Sequence, residues 1–366
     1  MDLHAEDRAS ILADEACRFH DRALAAREAG DARAARRHAR SALSKMRRAV
    51  GPLHPDVANV GLELARAERD LGELGRAERL ARRALAILAA FARSHIPEIR
   101  RIRVQAMATL ASILVARGMW PEARALYARG SKVASSLGPN DLDFAAILND
   151  RAVLYKFEGR FVDAARLYTR VMAMTRTGKR DDDTEATLLH NLAGLDHARG
   201  RYAHAEPIAR RGLAQRAKAV GRAHPRFAAD LVGYAAILVG LDRFRAAKRI
   251  YVRAIGILER AVGPTHAHTQ PEIAYALSNL GAACEATGDF DGARTHYARA
   301  LAVATRTLGP VHVDVALTLH NMSVLARRTG DASGAARLHT RALRVAERAV
   351  GSRHPRYVEI ARAGAE

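Results

Sequence analysis

The stretch LHNLAGLDHARGRYAHAEPIARRGLA at Leu189–Ala214 decides the fold, because its pattern recurs along the whole chain. The alanine at its centre, Ala205, has counterparts at intervals of 41 to 46 residues: Ala35, Ala77, Ala123, Ala164, Ala247, Ala293 and Ala335. Self-similarity at a period near 40 residues marks one supersecondary unit stacked many times. A chain of 366 residues built this way needs no single large core, since each unit buries its apolar face on its neighbours.

Each unit also carries a turn residue five positions before that alanine. The turn residues are Gly30, Gly72, Gly118, Gly159, Gly200, Asp242, Gly288 and Gly330. We expect each to end one helix in a left-handed conformation. Small residues seven positions before the turn residue predict close packing of two helices, and aromatic residues two positions after it predict a filled space beside them. Each unit is therefore predicted to be an antiparallel helix pair.

These residues resemble the tetratricopeptide repeat, and Leu277–Val303 and His320–Val345 match it as well as the first stretch does. The linkers resemble the kinesin light chain type: GPLHP at Gly51, GRAHP at Gly221, GPTH at Gly263, GPVH at Gly309 and GSRHP at Gly351. The resemblance implies an all-α, right-handed α-solenoid of about eight helix pairs in one domain, 1–366. The expected repeats are 14–50, 56–92, 102–138, 143–178, 184–220, 226–262, 272–308 and 314–350, with a half-unit at 351–366.

Two spacings of 46 residues predict longer loops, or an added part of a helical turn, near Arg93–Arg101 and near His266–Glu272. Cys17 and Cys284 stand in the first and seventh repeats, too far apart for a disulfide, and we expect both to be buried. The chain has no signal-peptide pattern and no membrane-spanning run, which predicts a cytoplasmic location. The short end of the array predicts a capping helix and allows a homodimer through that end.

The chain carries a formal charge of +20, and only a minority of its cations are lysine. The excess lies in the second helix of each repeat, which the resemblance places on the convex face of the solenoid. The basic convex face is represented by Arg36, Arg37, Arg40, Arg210, Arg211, Arg245 and Arg249. Such a face can serve solubility alone, or bind nucleic acid, an acidic protein or an anionic membrane. No exposed aromatic residues are interleaved with these arginines, so no base-stacking platform is predicted.

The first helices carry polar residues nine and ten positions before the turn residue, where the resemblance implies a peptide-binding groove. The expected contacts are Asn149, His190, Asn191, Tyr275, Asn279, His320 and Asn321. An amide can bind both the C=O and the N–H of a peptide backbone. The alternative is that these side chains join adjacent helices or face water. Gly233, Thr109, Asp21 and Glu63 interrupt the series, so we expect repeats four to eight to dominate.

No catalytic motif, metal site or cofactor site is predicted. The linker histidines His54, His224, His266, His312 and His354 lie in different repeats and are expected to cap helix ends. The run Asp181–Asp183 is expected at a helix N-terminus, where the helix dipole favours negative charge. The sequence does not predict a cluster of cations that would bind the C-terminal carboxylate of a peptide. The cations at the matching groove positions, Lys156, Arg327 and Arg328, are scattered.

The sequence therefore predicts a non-catalytic protein that binds a protein or peptide in its groove, as an adaptor, scaffold or regulatory subunit. Two alternatives remain open at this stage. The chain could be the sensor partner of a separately encoded NTPase or protease, or it could associate with nucleic acid through its basic convex face.

Overall fold

The computed structural model describes residues 3–176, 182–262, 271–352 and 354–362, and within them all regular structure is helical. The helices are α1 (Leu3–Glu28), α2 (Ala32–Val50), α3 (Pro55–Asp70), α4 (Leu74–Ala89), α5 (Pro97–Ala116), α6 (Trp120–Ala134), α7 (Leu142–Phe157), α8 (Phe161–Arg176), α9 (Asp182–Ala198), α10 (Tyr202–Val220), α11 (Pro225–Gly240), α12 (Phe244–Val262), α13 (Pro271–Ala286), α14 (Phe290–Leu308), α15 (Val313–Arg328), α16 (Ala332–Val350) and α17 (Pro355–Arg362). The fold is an all-α repeat solenoid, as the sequence predicts.

The chain forms two compact units. The first unit contains α1 to α6, α7 as far as Leu154, and α8 from Thr169. The second unit contains Tyr155–Tyr168 and the helices from α9 to α17. In both units an odd-numbered helix packs against the even-numbered helix that follows it, and the even-numbered helix packs against the next pair.

The predicted turn residues do adopt the left-handed conformation. Gly200 has a φ of 72°. Asp242 has a φ of 58°, and among the described residues it is the one with a positive φ that is not a glycine. At the end of α9 the N–H of Gly200 donates to the carbonyl of His197 at 3.0 Å, and the N–H of Arg201 donates to that of Asp196 at 2.9 Å. These bonds satisfy carbonyls that the end of a helix leaves without partners.

Histidine caps the helix after four of the linkers, as predicted. The Nδ1 atom of His224 accepts a hydrogen bond from the N–H of Arg226 at 3.0 Å. The same bond forms from Asp56 to His54, from Asp314 to His312 and from Arg356 to His354. Proline follows the cap at Pro55 and Pro225, where a missing N–H does no harm. His266 lies outside the described residues.

Buried alanines bring the two helices of each pair together. The alanine five positions after the turn residue has no exposed surface in seven repeats, from Ala35 to Ala293, and 4% in the eighth, Ala335. Tyrosine fills the space beside it in four repeats. These side chains, which the sequence analysis did not single out, are Tyr127, Tyr168, Tyr251 and Tyr297. Small and large side chains therefore alternate, which is how dense cores are filled.

Several details differ from, or extend, the expectations. Cys17 is exposed on α1, so the expectation that it is buried is wrong, whereas Cys284 is buried as predicted. The first insertion lengthens both the segment after α4 and α5 itself, and the second lies outside the described residues. The C-terminal helix α17 packs on α15 and α16 through Tyr357 and the fully buried Ile360. Dimerisation through this end stays a prediction.

Two glycines in first helices allow a matched test of this packing. A Cβ on Gly281 would lie 2.7 Å from the ring of Tyr297, whose hydroxyl is fixed by a 3.1 Å bond to Glu285 Oε2. A Cβ on Gly61 would meet nothing within 4 Å. We expect Gly281→Ala to lower the free energy of unfolding by about 1–3 kcal/mol, since the core is overpacked there.

Gly61→Ala should instead raise the free energy of unfolding by about 0.5–1 kcal/mol, because alanine favours the helix. Urea unfolding followed by circular dichroism measures both changes. Equal effects of the two substitutions would show that close helix packing does not require the small residue at 281.

Candidate functional site

The first helices form the inner face of each unit. In the second unit α9 contacts α11, α11 contacts α13, α13 contacts α15, and α15 contacts α17. In the first unit α1 contacts α3, and α3 contacts α5. Within the described residues, no two second helices of successive repeats contact each other to the same extent. The second helices therefore spread apart on the outer, convex side, while the first helices line the concave side.

The three predicted asparagines of the second unit have different surroundings. Asn191 on α9 is buried. The Nδ2 atom of Asn321 on α15 donates to Ser278 Oγ on α13 at 3.4 Å, so this amide joins adjacent first helices. The Nδ2 atom of Asn279 on α13 is buried and has no hydrogen-bond partner in the described structure. A buried amide N–H₂ without a partner lowers stability, so an acceptor that reached it would be stabilising.

The interruption of the series at Gly233 has a packing cause. His190 Nδ1 lies 3.0 Å from Asp230 Oδ1, which brings the ring from α9 over to α11. A Cβ on Gly233 would lie 3.1 Å from Cε1 of this ring, so a larger residue would force it away. Asp230 also accepts a 2.9 Å hydrogen bond from Nε of the buried Arg216. His190 is therefore part of a network between helices.

The remaining predicted contacts divide between surface and packing. Tyr275 is 48% exposed on α13, four positions before Asn279, and lies on the same side of the helix. The ring of His320 lies 6.3 Å from the ring of His339 on α16, and burial lowers the pKa of both imidazoles. Asn149 belongs to the first unit, where its Nδ2 donates to Asp150 Oδ1 at 3.4 Å.

A row of small, partly exposed side chains runs beside the asparagines in the second unit. The row stands six positions before each turn residue and consists of Gly194, Ala236, Ala282 and Val324. Positions nine and six before the turn residue are three apart, so they share one helix face. The inner face of this unit therefore has an apolar floor of small residues, with the amides of Asn279 and Asn321 along one edge. We call this surface the small-residue floor.

Lys156 lies at the start of the small-residue floor. A Cβ on Gly194 would lie 3.1 Å from Lys156 Nζ, so the missing side chain makes room for the amine. No described residue forms an ion pair with it, although its Nζ lies 5.2 Å from the centroid of the Phe157 ring. Burial lowers the pKa of Lys156 to about 8. Burial, followed by the charges of Lys156 and Arg356, also lowers the pKa of His197, so the surroundings are positive.

The inner face of the first unit is a polar network instead of a small-residue floor. Arg66 donates to Glu63 Oε2 at 3.3 Å, and its Nε donates to Thr109 Oγ1 at 3.3 Å. Arg27 donates to the other oxygen of Glu63 at 2.6 Å. Glu63 and Thr109 are two of the residues that interrupt the asparagine series. They interrupt it because an ion pair joins α1 to α3 here and hydrogen bonds join α3 to α5.

Asp150 was missed by the sequence reasoning, although it stands nine positions before Gly159, as Asn191 does before Gly200. Its carboxylate accepts the long bond from Asn149 and forms no ion pair within the described residues. Burial raises its pKa to about 6, against the opposing effect of the Arg69 charge. A comparison of the residues nine positions before the turn residue in every repeat would have identified Asp150.

The basic convex face is partly neutralised. Arg36 and Arg40 both pair with Glu68, at 3.7 and 2.7 Å. Arg210 pairs with Glu206 at 2.7 Å, and Arg211 pairs with Glu185. Arg37, Arg245 and Arg249 also belong to second helices, and no ion pair with a described residue holds them. Cations on this side are thus divided between ion pairs within the solenoid and free surface charge.

Metal-binding clusters and membrane-spanning helices are both absent from the described residues. No group of three or more His, Cys, Asp or Glu side chains there could hold a metal ion. None of the helices in the described ranges is long and apolar enough to cross a membrane.

Solved structures with this architecture are similar at low sequence identity. A Rap protein complexed with Competence and Sporulation Factor superposes with a TM-score of 0.60 at 13% identity, over 80% of this chain and 78% of that chain. BtubC (BKLC) from P. vanneervenii gives a TM-score of 0.49 at 24% identity, over 63% and 92% of the two chains. A kinesin light chain-like repeat protein from Podospora anserina gives 0.42 at 23% identity, over 57% and 97%. The first of these similarities supports the fold alone.

Family models identify the repeat directly. Two tetratricopeptide repeat models match, one over residues 103–177 and 272–360 and the other over residues 186–226. Together these segments make up more than half of the chain, and each contains the helix pairs and left-handed turns described above. No curated protein matches the chain significantly. The resemblance seen in the sequence is thereby confirmed, and the chain belongs to the tetratricopeptide repeat family.

Proposed function

We propose that the protein is a non-catalytic adaptor that holds an extended peptide segment of a protein partner on the inner face of its second unit. The observation that carries this proposal is the Nδ2 atom of Asn279, buried on that face without a hydrogen-bond partner. A peptide carbonyl is the acceptor this amide needs. Binding would thus satisfy a donor that is unsatisfied in the free protein.

The small-residue floor supports the same reading. An extended backbone carries its polar groups on both sides, so a surface that binds it must allow close approach. Gly194 and Ala236 present little or no side chain, and Tyr275 stands exposed on the neighbouring helix as an aromatic contact. An aromatic side chain with a polar hydroxyl adds contact area at a small cost in conformational entropy.

Lys156 adds a preference for an acidic residue in the peptide. Its amine has no acidic partner among the described residues, and its charge helps to keep the neighbouring His197 neutral by lowering the pKa of that imidazole. A charge-assisted hydrogen bond from a lysine to a carboxylate is stronger than a neutral one. The ligand we propose is therefore an extended peptide whose acidic side chain reaches Lys156 while its backbone bonds to Asn279.

The two alternative functions left open by the sequence differ in the surface that they would use. A sensor that reports to a separately encoded effector would use the same inner face, so peptide binding is the step common to both readings. Nucleic-acid binding would use the convex face, where four of the seven predicted arginines already pair with acids. No described feature favours it over peptide binding.

The first test selects peptides and maps their contact. A library of displayed random peptides would be selected on the wild-type protein, and the enriched peptides measured by fluorescence polarisation. We expect enrichment of acidic residues, and Asn279→Ala should weaken binding by about 3- to 10-fold, the value of one neutral hydrogen bond.

Arg37→Ala and Arg245→Ala provide the matched controls, because both are on second helices and form no ion pair with a described residue. Each should leave peptide binding unchanged. The proposal is wrong if the selected peptides bind Asn279→Ala as well as wild type while these outer substitutions abolish binding.

The Lys156 contact predicts a pH dependence. A lysine with a pKa near 8 is charged at pH 7 and largely neutral at pH 9, so the acidic peptide should bind about 10-fold more weakly at pH 9. His197, on which the charge of Lys156 acts, is neutral over this range, because burial and that charge lower its pKa. Lys156→Arg should keep the affinity and remove the pH dependence, whereas Lys156→Met should lower the affinity by about 10-fold at pH 7. A pH profile of Lys156→Arg identical to that of wild type would exclude the contact.

A further inference from the structure

A cavity of about 240 Å³ opens on the inner face of the first unit, separate from the small-residue floor. It lies between α1, α3, α5 and α7, and it is lined by charged and polar groups that include Arg27, Arg66, Arg69, Asp143 and Asp150. Pockets for drug-sized ligands measure roughly 300–1,000 Å³. A cavity of this size suits one polar side chain or a small ion.

The arginines of the cavity already have acidic partners. Arg27 and Arg66 share the buried Glu63, at 2.6 and 3.3 Å. Arg69 pairs with Asp70 at 2.9 Å and donates to Ser112 Oγ at 3.1 Å. An added anion would have to compete with these carboxylates, so the cavity is poorly suited to a phosphate or carboxylate.

The two acids of the cavity differ from each other. Both oxygens of Asp143 are occupied, one by Arg101 at 2.7 Å and the other by Gln105 at 3.0 Å. Asp150 has only the 3.4 Å bond from the amide of Asn149 and no ion pair within the described part of the chain. This carboxylate therefore has no direct ion pair, although the charge of Arg69 in the same cavity partly offsets its own. A charge that is partly removed from water without an ion-pair partner is destabilising until a cation reaches it.

We infer that this cavity binds a guanidinium or primary ammonium group, with Asp150 as its counter-ion and Ser112 and Thr109 at its rim. A planar guanidinium fits best, because it can bond both carboxylate oxygens at once. The group could belong to an arginine or lysine side chain of a partner protein, or to a free small molecule. The cavity and its ligand are independent of the peptide proposed for the second unit.

Binding should depend on pH in a defined direction. Burial raises the pKa of Asp150 to about 6, and the groups that face it are Arg69 and Arg66 on α3, Arg27 on α1, Tyr127 on α6 and Asp143 on α7. The cations stay charged between pH 5 and 8, and burial raises the pKa of Tyr127 well above this range. A cation binds the ionised carboxylate, so affinity should be full at pH 8 and about 10-fold weaker at pH 5.

The test compares four probes by isothermal titration calorimetry at pH 8 on the whole protein: L-arginine, L-citrulline, a capped Gly-Gly-Arg-Gly-Gly peptide and inorganic phosphate. L-Citrulline has the shape of arginine without the charge. We expect arginine or the arginine peptide to bind at least 10-fold more tightly than citrulline. Tighter binding of the peptide identifies a partner's side chain as the natural ligand, and tighter binding of arginine identifies a small molecule.

Asp150→Asn should abolish the preference for arginine over citrulline. Thermal unfolding shows whether the variant is still folded. The raised pKa means that ionised Asp150 destabilises the folded state as pH rises through about 3.8 to 6. Asp150→Asn should therefore unfold about 2–6 °C higher than wild type at pH 8, with little difference at pH 4. Arginine should raise the unfolding temperature of wild type and leave that of Asp150→Asn unchanged.

Control variants separate this site from the peptide site. Glu122→Gln removes an exposed carboxylate that pairs with Arg82 and should bind arginine as wild type does. Lys156→Met and Asn279→Ala should also bind it normally, so either proposal can fail without the other. Equal binding of arginine and citrulline, undiminished arginine binding by Asp150→Asn, or binding of phosphate instead of arginine would overturn the inference.

Discussion

Close approach of two helices at a buried alanine is the constraint on which the rest of the structure depends. Ala205 and its counterparts have almost no exposed surface, and the small residue on the facing helix, such as Ala193, is equally enclosed. The turn that connects such a pair contains a residue in the left-handed conformation, such as Gly200. The spacing of helices within a pair then sets how successive first helices meet and which side chains reach the inner face.

The two inner faces follow from what occupies the same register positions. Where glycine and alanine stand six positions before the turn residue, the surface is smooth and apolar, as at Gly194 and Ala236. Where Arg66 and Ser112 stand there, neighbouring first helices are joined by ion pairs and hydrogen bonds. Each face leaves one charge unmatched. Lys156 has no acid partner and Asp150 has no cation partner among the described residues, so one scaffold offers two chemically opposite sites.

The fold could be predicted from the sequence because it depends on residue size and on glycine, and both repeat visibly. The buried tyrosines were not predicted, since only four repeats carry one. The register positions of the inner-face residues can be found in the sequence, but which of them bond to one another cannot. Whether Asn321 reaches Ser278, or His190 excludes a side chain at Gly233, depends on distances between helices more than 40 residues apart in sequence. That Asp150 and Lys156 form no ion pair with a described residue is likewise visible only in the folded chain, because the sequence holds many acids and arginines that could pair with them.

The ion pairs on the convex side have a consequence for how such a chain can arise by duplication and still fold reliably. The recurring alanine positions make the repeats' cores similar, so the core alone distinguishes the correct neighbour from a distant one only weakly. Arg82 with Glu122 joins α4 to α6, Arg243 in the turn before α12 pairs with Glu206 on α10, and Lys248 on α12 pairs with Asp289 in the turn before α14. The partners thus differ from repeat to repeat. These pairs mark the order of the units. A newly made repeat that stacked on the wrong neighbour would bring unmatched charges together, and this penalty favours correct assembly during synthesis.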